Sequence, residues 1–169
     1  MKFPKLKDGD VFKVPLGDGR AAVGQVISTY FSAHYVVIFD FVAQEDDIEL
    51  NVTSALQSRP AFGGLTFDAL FRPGRWQVLG NSVVDGRKFL PAYKTGASEI
   101  GNCVIEDFKG TRRRPATEVE EAIVPFRTTI SPIILERAMK AHVGMEPWLD
   151  AFDEVRLGQT VKSADIFDD

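Results

Sequence analysis

Cysteine is almost missing from this chain. Cys103 stands alone, which excludes an intramolecular disulfide framework. Histidine is nearly as scarce, with His34 and His142 only, and no cluster has the spacing of a zinc site. Neither a metal nor any other cofactor is expected. Long apolar runs are also missing. The longest is Tyr35-Val36-Val37-Ile38-Phe39, a strand's length and far short of the roughly 20 residues that span a bilayer. The opening segment has no apolar stretch of the kind that heads a secretory signal. A cytoplasmic location is therefore expected, with no membrane partner, and the sequon Asn51-Val52-Thr53 is expected to carry no glycan. A basic excess is absent too: 20 Lys and Arg against 24 Asp and Glu leave a net charge of −4. Neither half of the chain is basic, so a general nucleic-acid footprint is not expected. Phosphate-cradling glycines, HExxH and GxSxG are all lacking, which removes the common enzyme classes.

What is present is an ordinary globular composition, 44% hydrophobic and 26% charged over 169 residues. That length suits one domain spanning 1–169, which buries roughly 70% of its unfolded surface without staples. Phenylalanine is the one skewed count, at 13. It is material for a core and equally for an interface.

The first two-thirds, about 8–108, read as strands. Phe12, Val14 and Leu16 alternate onto one face. Gly17-Asp18-Gly19 interrupts them as a hairpin turn, because glycine reaches positive φ freely. The return strand runs from Ala21 to Tyr30 with Gly24 inside it, a position that marks a bulge or a close backbone approach. His34 to Phe41 makes a third strand, Trp76 to Leu79 another, and Asn102 to Ile105 one more. Gln44 to Leu50 reads as a polar loop. Residues 51–73 are ambiguous between helix and strand, and Asp85-Gly86 marks a further turn.

The last part, about 116–158, changes period. Thr117 and Glu120 fit a capping box, and Pro125 limits that helix. Ser131-Pro132 opens a helix with Leu135, Ala138, Met139 and His142 on one stripe, ending at Gly144. Pro147 is expected to start another, with Trp148, Phe152 and Val155 inward, Asp150, Asp153 and Glu154 outward, and Gly158 as its end. The acidic tail is expected to fray. Strands followed by helices favour α+β. The expected architecture is a mainly antiparallel twisted sheet or small open β-barrel, with C-terminal helices packed on one side.

Few residues carry chemistry. Cys103 with a histidine can be a nucleophile and base, but its Cys-Val-Ile context reads as a small core residue. Arg112-Arg113-Arg114 can clamp a phosphate, yet Glu118, Glu120 and Glu121 follow and favour a solvated loop with local ion pairs. Glu45, Asp46, Asp47 and Glu49 read either as a solvated loop or as a contact patch for a basic partner. No catalytic residue is assigned, no small-molecule substrate is expected, and the chain is not expected to be an enzyme.

One segment resembles a known family. Lys7-Asp8-Gly9-Asp10-Val11-Phe12-Lys13-Val14-Pro15-Leu16 and then Gly17-Asp18-Gly19-Arg20-Ala21-Ala22-Val23-Gly24-Gln25-Val26 look like the opening of the immunity protein 26 family. Gly74-Arg75-Trp76-Gln77-Val78-Leu79-Gly80 is the second matching piece, and Leu90-Pro91 follows, so the resemblance covers roughly 7–92. It marks Gly9, Asp10, Phe12, Pro15, Gly19, Gly24, Trp76 and Gly80 as the shared structural motif. It implies a bacterial protein encoded beside a polymorphic toxin, whose partner is the C-terminal domain of that toxin and which neutralises it by occlusion. On that reading Glu45, Asp46, Asp47 and Glu49 are the candidate toxin-binding residues. Alternatives are a nucleic-acid-binding small β-barrel using Arg112 to Arg114 with Tyr30 and Phe31, and an uncharacterised enzyme.

Overall fold

A computed structural model describes residues 5–96 and 103–167. The chain divides into two compact units, one of residues 1–84 with 129–158, the other of 85–128 with 159–169.

The first unit is built on a five-stranded antiparallel sheet of order β4-β3-β2-β1-β5, from β1 (Asp10–Pro15), β2 (Arg20–Tyr30), β3 (Ala33–Gln44), β4 (Pro60–Thr66) and β5 (Gln77–Asn81). The sheet stays open, so the barrel alternative does not apply. Alternation decides the faces, since successive side chains in a strand point to opposite sides. Phe12, Val14, Ala22, Val26, Val36, Ile38 and Phe62 share one core with Leu135, Ala138, Met139, Phe152 and Val155. Val11, Ala21 and Val23 turn the other way, onto Ile48 and Ala55. Strand β2 is thereby buried on both faces, which its run of buried residues records.

The β1–β2 hairpin has its turn at Gly17 to Gly19, and Gly19 sits at φ +89°. The ambiguous stretch after residue 50 resolves into a short helix α1 (Val52–Leu56) and strand β4. One helix covers the first core: α3 (Pro132–His142) begins at a proline in its first turn and packs on β4. Two expectations need correcting here. Gln44 to Leu50 is not a loop, because Glu45–Asn51 winds as a 3-10 helix with Ile48 anchored in the second core. No α-helix starts at Pro147: Leu149 is extended, and Asp150–Val155 forms a 3-10 turn instead. Its inward stripe is nevertheless as expected, with Phe152 and Val155 buried.

The second unit holds a three-stranded antiparallel sheet of order β6-β7-β8, from β6 (Tyr93–Thr95), β7 (Val104–Glu106) and β8 (Arg113–Pro115). The arginine run therefore lies largely in a strand, not in a loop. Helix α2 (Glu118–Ile123) carries the full capping box between Thr117 and Glu120 and stops before Pro125. The tail is not frayed throughout: Ser163–Ile166 forms α4, and Ile166 and Phe167 pack on the core of Ala92, Ile105 and Val124. Asn102, read as the start of a strand, lies outside the described residues.

Candidate functional site

The residues expected to form a structural motif lie around β1, and their contacts hold the sheet. Gly9 has φ +91°, and a Cβ there would stand 2.5 Å from the Ser82 carbonyl oxygen. Its N–H donates to Val26 O at 2.7 Å, and its own carbonyl accepts from Ser82 N–H at 3.0 Å. The buried Asp10 carboxylate accepts from the Lys7 N–H at 2.8 Å and from Asn81 Nδ2 at 3.0 Å. Phe12 stacks on Trp76 with ring centroids 5.0 Å apart. Trp76 Nε1 donates to Glu136 Oε1 at 3.3 Å, and the same buried carboxylate is ion-paired with Arg75. Pro15 pairs with Ala21 at the end of the hairpin, and Gly80 pairs with Val11 where the β1–β5 register shifts. Gly24 faces Phe12 across the ladder.

Each group with reactive potential has surroundings of its own. Cys103 is buried in the second unit, and burial pushes its thiol pKa up, with the Glu121 carboxylate adding to the rise. His34 is in the first unit, where burial pulls its pKa down and Thr29 Oγ1 lies 3.0 Å from its Nδ1. His142, at the end of α3, is committed to Asp40, with Nε2 2.9 Å from Oδ1. Among the described residues, no three or more His, Cys, Asp and Glu side chains form a group that could hold a metal. The arginine run is engaged locally. Arg112 donates to Phe167 O at 3.0 Å, Arg113 pairs with Glu106 at 3.1 Å, and Arg114 forms a fork on Glu120 at 2.7 and 2.6 Å.

That fork has a pH consequence. The Arg114 guanidinium, helped by the Thr117 N–H, holds the Glu120 carboxyl down to about 2 from an ordinary 4.5. A carboxyl depressed in the folded state adds stability above its unfolded pKa and loses it as the pH falls through the folded one. Glu120→Gln is expected to flatten the stability curve between about pH 4.5 and about pH 2 relative to wild type. Parallel wild-type and Glu120→Gln curves across an acid titration of chemical melts would refute this.

The candidate carboxylates occupy the 3-10 turn after β3. In a 3-10 helix residues i and i+3 eclipse, so Glu45 shares an edge with the buried Ile48, and Asp46 shares another with Glu49. Glu45 is accordingly half-buried, its N–H donating to Gly19 O at 2.9 Å and its carboxylate 3.3 Å from Lys13 Nζ. Asp46, Asp47 and Glu49 are exposed, and Leu50 beside them is 87% exposed. Three of the four carboxylates thus face outward on a turn pinned at both ends of its inner edge.

The opposite end of the same hairpin carries a feature that strand reading did not assign. Tyr30 pairs with Ala33, leaving Phe31 and Ser32 as a two-residue turn. Among the described residues Phe31 is the one non-glycine residue with positive φ, at +53°. Such turns favour Gly and Asn, and a bulky side chain in this region stores about 1–3 kcal/mol of strain. Phe31 is 87% exposed, its ring edge-on to Tyr30 at 4.8 Å. The signal in the sequence is an aromatic residue between two strand runs where glycine or asparagine belongs. Other exposed apolar side chains, Val119, Ile123 and Phe126, lie on and after α2; the Lys94 ammonium covers the Phe126 ring at 4.8 Å.

An open five-stranded antiparallel sheet with helices packed on it defines an α+β fold. The family model described as Immunity protein 26 matches residues 7–102, more than half of the chain. The chain belongs to the immunity protein 26 family. No curated protein and no solved structure matches it. No helix among the described residues is long and apolar enough to cross a membrane.

Proposed function

We propose that this protein is the cytoplasmic immunity partner of a bacterial polymorphic toxin, binding the toxin's C-terminal domain and blocking it by occlusion. Membership of the immunity protein 26 family over residues 7–102 carries the reading. Occlusion needs shape and charge rather than catalysis, and nuclease–immunity pairs are among the tightest complexes known. A standard interface takes roughly 800 Å² from each partner, which is about a tenth of the 9285 Å² surface available here. The test is co-expression with the C-terminal domain encoded by the adjacent toxin gene. Growth rescue with co-purification supports the reading; continued killing at full expression of the folded protein refutes it.

The acidic turn is the proposed steering surface. A basic toxin, such as an enzyme that holds phosphates, presents a cationic cleft to which Asp46, Asp47 and Glu49 are complementary. Asp46→Lys with Asp47→Lys is expected to leave the melt nearly unchanged, since exposed charges contribute roughly 0–1 kcal/mol. Association with the toxin domain is expected to slow at low salt, and the difference to shrink as screening shortens to about 8 Å. Equal association rates at low ionic strength would remove this turn from the encounter.

A further inference from the structure

We infer that the β2–β3 hairpin tip is the anchoring contact with the toxin domain, the Phe31 ring seating in an apolar pocket of that protein. The inference rests on the immunity reading and adds to it a residue and a mode of contact.

Folding gains little from Phe31. The side chain is 87% exposed, so it contributes almost nothing to the core, and its backbone sits at φ +53°. Local turn chemistry favours another residue there. Strain of this kind clusters at ligand clamps. Preorganisation follows from the surroundings. The Tyr30 ring backs Phe31 edge-on with an interplanar angle of 84°, and the hairpin beneath is laddered from Arg20↔Gln44 to Tyr30↔Ala33. Strand β2 is also paired with β1 on its other side. An aromatic ring held on a rigid support loses little freedom when it docks, and such anchors dominate protein interfaces.

The charges nearby choose between macromolecules. Asp8 accepts from Thr29 Oγ1 at 3.2 Å. Asp68 follows the half-exposed Phe67, at the end of β4 where Thr66 pairs with His34, and carries Arg72 at 2.9 Å. The carboxylates of Asp68, Asp8 and Asp10 all act on His34, opposed by Lys5, while Arg72 pairs with Asp68. This end of the sheet therefore offers no basic excess to hold a phosphate backbone, which disfavours base stacking by single-stranded nucleic acid. A protein pocket with a neutral or cationic rim is complementary to it.

Phe31→Asn separates binding from folding, because asparagine tolerates positive φ. The probe is the catalytically inactivated C-terminal domain of the adjacent toxin gene, followed by surface binding kinetics beside thermal melts. Phe31→Asn is expected to melt at or above the wild-type temperature and to dissociate at least about tenfold faster. Phe31→Trp is expected to stay within about threefold of wild type, since the pocket takes an aromatic ring. Unchanged dissociation of Phe31→Asn from a toxin that wild type binds overturns the anchor and leaves the immunity reading standing. A fall in melting temperature that accounts for the lost binding also overturns it, as does Phe31-dependent binding of a single-stranded oligonucleotide without an effect on the toxin. A wild type that binds no toxin domain overturns the immunity reading itself. The Asp46 and Asp47 variants lie at the other end of the hairpin, so their effect on association is read independently.

Discussion

Phe152→Ala is expected to lower the unfolding free energy by about 3–5 kcal/mol, the range for truncating a fully buried phenylalanine. The side chain has no exposure and belongs to the main core with Leu135, Ala138 and Met139 of α3. Trp148 meets it edge-on at 5.4 Å, and the Arg137 guanidinium lies 5.7 Å from its ring centre. Its own element cannot hold itself: Asp150–Val155 is a 3-10 helix of 6 residues with no side-chain cap, and runs of this kind have poor hydrogen-bond geometry. The turn therefore stays in place because Phe152 and Val155 are buried. A cavity there costs the lost transfer energy, the cavity term and the ordering of the turn together. Urea melts measure the change. A loss under about 1 kcal/mol, set against the cavity range, would show that the site collapses freely. Intact stability with abolished toxin binding would make the stripe an interface.

Much of the scaffold was legible because short-range chemistry decided it. Phe12, Val14 and Leu16 alternate, and the core lies on their side of the sheet. Thr117 and Glu120 close the box they announce. Ser131-Pro132 marks the start of α3, although the serine side chain makes no cap bond. The misreadings share a physical cause. Gln44 to Leu50 is polar throughout except for Ile48 and Leu50, and burial of Ile48 in a long-range core, not local propensity, winds it into a helix. Pro147 suits a first helical turn, but the extended backbone at Leu149 delays the turn to Asp150. Arg113 and Arg114 join a strand because β7 supplies the ladder and Glu106 and Glu120 neutralise them. Contact surfaces were harder to read than folds. Charge density names the acidic turn as a candidate, whereas the proposal for the hairpin tip rests on a backbone angle that composition does not record.

Gly24→Ala is expected to cost about 2–3 kcal/mol, near the top of the range for adding a methyl group to a packed core. In an ordinary strand the same change would be favourable, because glycine loses more backbone freedom than alanine on folding. Here the added Cβ would lie 2.4 Å from Phe12 Cζ and 2.6 Å from Cε2. The ring cannot move aside. Trp76 stacks on it at an interplanar angle of 18°, Phe71 meets it edge-on at 4.8 Å, and Trp76 is itself tied to Glu136. Nor can the strand yield easily, since β2 is paired on both sides and its register with β3 already shifts between Ala22 and Gly24. The backbone at Gly24 does not need positive φ, so the penalty resides in the contact with Phe12. Gly19 is the converse case, with φ +89° and nothing within 4 Å of its Cβ site. A double-mutant cycle with Phe12→Leu checks the assignment. The shorter side chain frees the space, so Gly24→Ala is expected to cost at least about 1 kcal/mol less in the Phe12→Leu background. Additive losses would mean that the glycine is required by the backbone bulge rather than by the ring against it.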